Sequence, residues 1–220
     1  MKTVLITGAN RGIGFALTQE YLTQGWRVLG VCRTASAELS ATNAQVISGV
    51  EVTDAAAVQN LAVQLAGVKL DLLINNAGIL HHDHVGEVDY SNVTQQFLVN
   101  AQAPLQVTEA LLGHLNEGAK IAFITSRMGS IADNTSGGYY GYRMSKAALN
   151  AAAKSLSLDL KARGISVAIL HPGYVQTAMV NFGGDISAAE SAQRLSLRIA
   201  ELNLKNTGGF WHSNGDSLPW

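Results

Sequence analysis

Short runs of consecutive apolar residues recur along the chain at 3–6, 27–31, 45–47, 70–74, 120–124 and 166–170, with a last one near 210–212. They have the length and unbroken apolar character of strands covered on both faces. Between them lie longer stretches, 14–24, 55–66, 88–115, 142–162 and 188–201, in which apolar residues return every three or four positions. That is the period of a helix with one buried face. Strand and helix therefore alternate, and right-handed crossovers turn such alternation into a parallel sheet with helices on both faces. The expected fold class is α/β, a doubly wound parallel sheet. No proline- or serine-rich linker, charge block or repeat interrupts the pattern, so residues 1–220 are expected to form a single domain.

Composition narrows the choice of partner. With 47% apolar residues, 14% charged residues and a formal net charge of -1, the chain has no general attraction to nucleic acid or to an anionic membrane. No apolar stretch is long enough to span a bilayer. The N-terminal run has no cationic leader, and the single cysteine, Cys32, cannot form an internal disulfide. A cytoplasmic protein is expected. The segment His81-His82-Asp83-His84 looks like a metal cluster, but adjacent loop residues rarely face one ion and no H-x-x-x-H or C-x-x-C spacing accompanies them. No metal site is expected there, and the segment is instead a candidate rim of a cleft.

Chemistry enters at TGANRGIG, Thr7 to Gly14, directly after the first strand. Glycines at 8, 12 and 14 between a strand and a helix let backbone approach a pyrophosphate, whose charge sits on the helix N-terminus. At the end of the second strand an acidic residue would accept from the ribose hydroxyl of NAD, whereas an arginine would pair with the 2′-phosphate of NADP. The chain has Cys32-Arg33-Thr34, and Arg11 inside the turn is a second cation. NADP(H) is therefore expected over NAD(H).

A second constellation lies in GGYYGYRMSK, Gly137 to Lys146. On a helix Tyr142 and Lys146 are neighbours on one face, about 6 Å apart along the axis. Tyr139 would lie about 10 Å up the axis if helical, and its glycine neighbours suggest a loop; Tyr140 faces elsewhere. A tyrosine that exchanges protons near neutral pH must titrate well below its ordinary value of about 10. An ammonium at about 4 Å supplies about 4 kcal/mol at an effective dielectric of about 20, which makes Lys146 a sufficient perturber.

In order and spacing, TGANRGIG, Asn75-Asn76-Ala77-Gly78, Tyr142-Arg143-Met144-Ser145-Lys146 and His171-Pro172-Gly173-Tyr174-Val175-Gln176-Thr177 resemble four elements of the short-chain dehydrogenase/reductase family. These are its glycine turn, NNAG, YxxxK and PG-x-V-x-T segments, and the resemblance covers almost the whole chain. It implies a Rossmann fold and hydride transfer between a nicotinamide cofactor and a small carbonyl or alcohol substrate. Tyr142 would be the proton donor, and Lys146 would hold the nicotinamide ribose. Asn100 would hold a water that relays protons, although a mid-helix asparagine also often faces solvent. Ser126 at the end of the fifth strand would steady the substrate oxygen as charge develops on it, with Ser130 and Ser136 as alternatives. Cofactor contacts would come from Gly8, Asn10, Arg11, Gly12, Ile13 and Gly14 in the turn, and from Arg33 with Glu51 and Val52. Asn76 and Ala77 would line the adenosine side, Thr177 would hold the carboxamide end, and Gly78, Pro172, Gly173 and Val175 would be further cofactor contacts.

Two departures stand out. Glu51 occupies a place where the family usually has aspartate, and Ser126 lies further before Tyr142 than is common, which implies an insertion in 132–138. The run from Met128 through NTSGGYYGYRMSK and the short C-terminal part resemble the sniffer-type and C-factor-like carbonyl reductase branch. That branch also implies a rival reading, a dinucleotide-binding signalling module in which turnover is secondary. A sugar-nucleotide epimerase is disfavoured by the glycine spacing and by the lack of room for an extra substrate domain. The family's habit of pairing helices implies a homodimer or homotetramer, with Ala147, Ala148, Ala151 and Ala152 as a face for close helix contact or for packing on the sheet.

Overall fold

Seven strands, all parallel, form one sheet in the order β3-β2-β1-β4-β5-β6-β7 in the computed structural model, which describes residues 1–220. They are β1 (Thr3–Thr7), β2 (Arg27–Val31), β3 (Gln45–Ile47), β4 (Leu70–Asn75), β5 (Leu115–Ile124), β6 (Ser166–His171) and β7 (Phe210–His212). The sheet is wound outward in both directions from β1 and β4, so the crevice beyond their C-terminal ends is where such a fold accepts a ligand.

Alternate strand residues feed two separate cores, which is why the runs read as continuously apolar. Val4, Ile6, Leu72, Ile74, Ala122 and Ile124 face α1 (Gly12–Thr23) and α7 (Ala188–Glu201). Leu5, Leu29, Leu73, Ile121, Phe123 and Val167 face the other way, onto α3 (Ala55–Gln64), α5 (Ala103–Leu111) and α6 (Tyr140–Asp159). Single Rossmann-type domain and doubly wound topology match the expectation. A short α2 (Ala37–Ser40), capped by the Ser36 hydroxyl on Leu39 N, is an addition to it.

The stretch 88–115, expected as one helix, is broken. α4 (Tyr90–Phe97) passes through a π-helical turn at Leu98–Gln102 into α5, and a short 3-10 turn at Leu112–His114 ends it. Pro104 favours a break there, because it has no N–H to return to the carbonyl of residue 100, and the ladder passes through a π turn instead. β5 then begins at Leu115 rather than 120, with a register irregularity against β4 between Leu70 and Leu72. α6 begins at Tyr140, so Tyr140 is helical and only Tyr139 stays outside, in the left-handed region at φ 54°. Of the four alanines of α6, Ala148 packs against the core and Ala151 is exposed. No helix is long and apolar enough to cross a membrane.

Candidate active site

The turn between β1 and α1 is held by side chains from the neighbouring strand end. Thr7 Oγ1 accepts the N–H groups of Asn76 at 3.0 Å and Ala77 at 3.1 Å, while Asn76 Nδ2 donates to Thr7 O at 3.0 Å and Gly8 O at 3.3 Å. Asn10 Nδ2 donates to Thr34 O at 3.0 Å and ties the turn to the end of β2. Gly14 is demanded by contact, since a Cβ there would lie 2.1 Å from Gly8 O. α1 has no side-chain cap, so its first N–H groups are left for an anion. The turn is thus a rigid cradle open at one side, and its donor set fits the pyrophosphate of a dinucleotide.

At the far side of the cradle Arg33 Nη1 lies 3.3 Å from Glu51 Oε2, both side chains well exposed. Glu51 Oε1 meanwhile accepts from Thr53 N and Oγ1 at 3.3 and 3.1 Å. Glu51, expected as a cofactor contact, is therefore occupied by its own loop and by Arg33. Arg11 makes no ion pair. Thr177 reaches over the turn: a Cβ on Gly12 would come 3.4 Å from Thr177 Cγ2.

The residues expected to react lie where β5 and α6 meet. Ser126 ends the β5 segment and caps a 3-10 turn, its Oγ accepting from Met128 N at 3.1 Å. Thr125 Oγ1 donates to Asn150 Oδ1 at 2.7 Å, fastening that strand end to α6. Tyr142 and Lys146 are both buried on the inner face of α6. Lys146 Nζ donates to Ile124 O at 3.0 Å and stands 5.7 Å from the centre of the Tyr142 ring. Asn100, inside the π turn, is fully buried rather than solvated. Its Oδ1 accepts from Ile79 N at 2.8 Å, and its Nδ2 donates to Ile79 O at 2.8 Å and Ser145 Oγ at 3.0 Å. Gly78 marks the convergence, because a Cβ on it would lie 3.2 Å from Asn100 Oδ1 and 3.7 Å from Lys146 Nζ.

Proton affinities depart from the simple expectation. Burial pushes the Tyr142 phenol up to about 12, against which the neighbouring Ser126 hydroxyl acts in the lowering direction. Burial also lowers Lys146 to about 8. The ammonium does not pull the tyrosine down, as the four-residue spacing had suggested, because desolvation dominates at both groups.

One cleft of about 1440 Å³ joins these parts. Every residue selected from the sequence lines it except Asn100, which stands behind its wall. Ser130 is buried and bonded to Asp133 N, and Ser136 holds Arg143; neither reaches the cleft. No group of three His, Cys, Asp or Glu side chains is placed to hold a metal ion. His82 stacks on Tyr139 with ring centres 4.7 Å apart, and both line the cleft, as the rim reading expects. Asp83 has a role that sequence reading missed. It is buried, its carboxylate accepts the N–H groups of Tyr140 and, at 3.1 Å, Gly141, and its carbonyl accepts from Tyr139 N at 3.0 Å. Nothing local signals a cap that acts across 57 residues.

Comparison with known proteins agrees with this geometry. A family model described as short chain dehydrogenase matches residues 2–185. The 1-hydroxy-2-glutathionyl-2-methyl-3-butene dehydrogenase of Rhodococcus sp. (strain AD45) is 40% identical over 226 residues, all of both chains. The C-signal protein of Myxococcus xanthus is 45% identical over 154 residues, 69% of this chain and 93% of its own. Among solved structures, the carbonyl reductase Sniffer of D. melanogaster superposes with a TM-score of 0.93 at 31% identity, covering 100% of both chains. The NADPH-bound carbonyl reductase from chicken fatty liver does so at 0.92 and 30%, covering 100% of this chain and 99% of that one.

Proposed function

The chain belongs to the short-chain dehydrogenase family of nicotinamide-dependent oxidoreductases, and from that premise we propose that it is an NADPH-dependent carbonyl reductase that turns a ketone or aldehyde into an alcohol. The observation that carries this reading is the meeting of Ser126, Tyr142 and Lys146 in the same cleft as the glycine cradle and Arg11 and Arg33. NADPH, when bound, supplies the hydride. The cradle N–H groups and Arg11 would hold its phosphates, Arg33 its 2′-phosphate, and Thr177 its carboxamide end. The NADPH-bound chicken liver reductase supports that choice of cofactor by likeness.

A carbonyl carbon that receives a hydride leaves negative charge on oxygen, which needs donors already in place. Ser126 Oγ–H is one. Tyr142 is the other, and its raised affinity means that it carries its proton at physiological pH, as a donor must. Lys146, held at the back of the site by Ile124 O, offers its remaining N–H bonds to a ribose and to the relay through Asn100. The reverse oxidation uses the same groups.

NADPH oxidation measured against a panel of aldehydes, diketones and quinones tests the reading; turnover by Tyr142→Phe at the wild-type rate sinks the proton-donor role. A second reading, a signalling module, is favoured by the likeness to the C-signal protein. It predicts that a turnover-dead Tyr142→Phe chain still delivers the biological effect of the wild type. We also infer a homo-oligomer, since Phe97, Leu98, Met144 and Leu158 leave apolar surface exposed around α4 and α6; sedimentation shows whether it is a dimer, a tetramer or neither.

A further inference from the structure

Beyond Ser126, the C-terminal rim of the sheet ends in three nitrogen-bearing side chains on successive strands. Arg127 follows β5, His171 closes β6 and His212 closes β7, and all three line the same cleft as Tyr142. The strand register pairs His171 with His212, and their rings meet edge to face with centres 4.8 Å apart.

Two observations point to a ligand. His171 is only 6% exposed, and its Nδ1 is closed off from solvent with no hydrogen-bond partner, an arrangement that costs stability and that a small turn of the ring toward a bound group would relieve. Burial, then His212 and Arg127, lower its affinity for a second proton to about 3, so the ring is a neutral imidazole that can donate from one nitrogen. Arg127 meanwhile commits only Nε, which lies 2.7 Å from Asp133 Oδ2. That pair fixes the plane of the guanidinium and leaves both Nη groups without an intramolecular partner, the fork geometry that suits a carboxylate.

We propose that this rim is a second subsite of the cleft, in which Arg127 and His171 take a carboxylate carried by the carbonyl substrate. Neither nearby acid occupies the Nη groups: Asp133 takes Arg127 only at Nε, and Asp216 Oδ2 accepts from Asn214 Nδ2 at 2.8 Å. Arg127 clamps the carboxylate with Nη1 and Nη2, and His171 donates to it. His212 packs the imidazole in place and has its own Nδ1 satisfied by Asn214 N at 3.0 Å. Because Arg127 is the neighbour of Ser126, the acid and the reacting carbonyl belong to one compact molecule. The substrate class is therefore an oxo acid, a deepening that rests on the reductase reading above.

The test compares 4-carboxybenzaldehyde with its methyl ester as substrates, and benzoate with benzamide as ligands of the protein–NADP⁺ complex by calorimetry. The wild type is expected to favour acid over ester at least tenfold in kcat/KM, and benzoate over benzamide by a similar factor. In Arg127→Gln both preferences collapse toward one. Arg127→Lys keeps the charge beside Asp133 but loses the fork, and guards against a variant that simply fails to fold; its acid-to-ester ratio falls as well. Equal use of acid and ester by the wild type, or ratios unchanged in both variants, overturns the subsite. Absence of turnover with either aldehyde and with the whole panel of aldehydes, diketones and quinones, while benzoate still binds through Arg127, would refute the reductase reading and leave the subsite standing.

Discussion

The carboxylate of Asp83 accepts the backbone N–H of Gly141 at 3.1 Å, and so joins the loop after β4 to the first turn of the helix that carries Tyr142 and Lys146. Helix α6 and the loop that follows the NNAG element therefore share one anchor. A buried carboxylate on free helix N–H groups also meets the positive end of the helix dipole.

Removing that anchor in Asp83→Ala is expected to cost about 0.5–2 kcal/mol, the range for a lost N-cap. At about 2–4 °C per kcal/mol for a domain of this size, the thermal midpoint falls by about 1–8 °C. Asp83→Asn keeps an acceptor and loses less. A midpoint unmoved in Asp83→Ala would show that the cap is dispensable.

Gly14→Ala places a methyl against the carbonyl of Gly8, backbone against backbone. Overpacking of that kind costs about 1–3 kcal/mol, and it falls on the wall of the cradle. NADPH binding, followed by nucleotide fluorescence, is expected to weaken about tenfold or more; wild-type affinity in the variant would mean that the cradle does not hold the cofactor.

The ion pair between Arg33 and Glu51 makes the two changes opposite in sign. Arg33→Ala should weaken NADPH far more than NADH, by about tenfold or more for a charge-assisted bond of about 1.5–3 kcal/mol. Glu51→Gln releases the guanidinium and should strengthen NADPH binding. Equal losses for both nucleotides in Arg33→Ala contradict phosphate pairing.

Alkaline stability should carry the mark of the two buried site groups. Lys146 titrates at about 8 in the folded chain against 10.5 ordinarily, so between those values the unfolded chain holds a proton that the native one has released. Stability rises with pH across that window. Above about 10 the sign reverses, because unfolded Tyr142 ionises near its ordinary 10.0 while the native phenol holds on to about 12. Urea unfolding of wild type and Lys146→Met at pH 7.5, 9 and 10 isolates the lysine: the difference should shift in favour of the wild type as pH rises, and a flat difference would show that Lys146 is not desolvated.

The pairing of Tyr142 with Lys146 was legible because a helix encodes it locally, four residues apart, and the glycine cradle was legible because it lies on one continuous turn. Strand ends were read to within a residue or so wherever both faces are buried. The long helix was misread, since Pro104 within otherwise helical residues leaves the type of break open and the π turn has no periodic signature of its own. Asp83 and His171 were out of reach for a different reason. Their partners lie on other elements, and only the folded sheet shows that the HHDH segment caps a helix, or that β6 and β7 end in facing imidazoles.

Because all seven strands run parallel, every one of them delivers its last residue to the same rim. On the proposed reading the ends of β1 and β4 serve the nucleotide, β5 the reacting oxygen, and the segment after β6 the cofactor through Thr177, which leaves β7 alone without a part in the hydride chemistry. An ancestral chain that exchanged His212 would acquire a new diet of substrates without relearning how to reduce them. For an engineer, the same division marks the half-buried His212 as the position to randomise while the reaction itself is left alone.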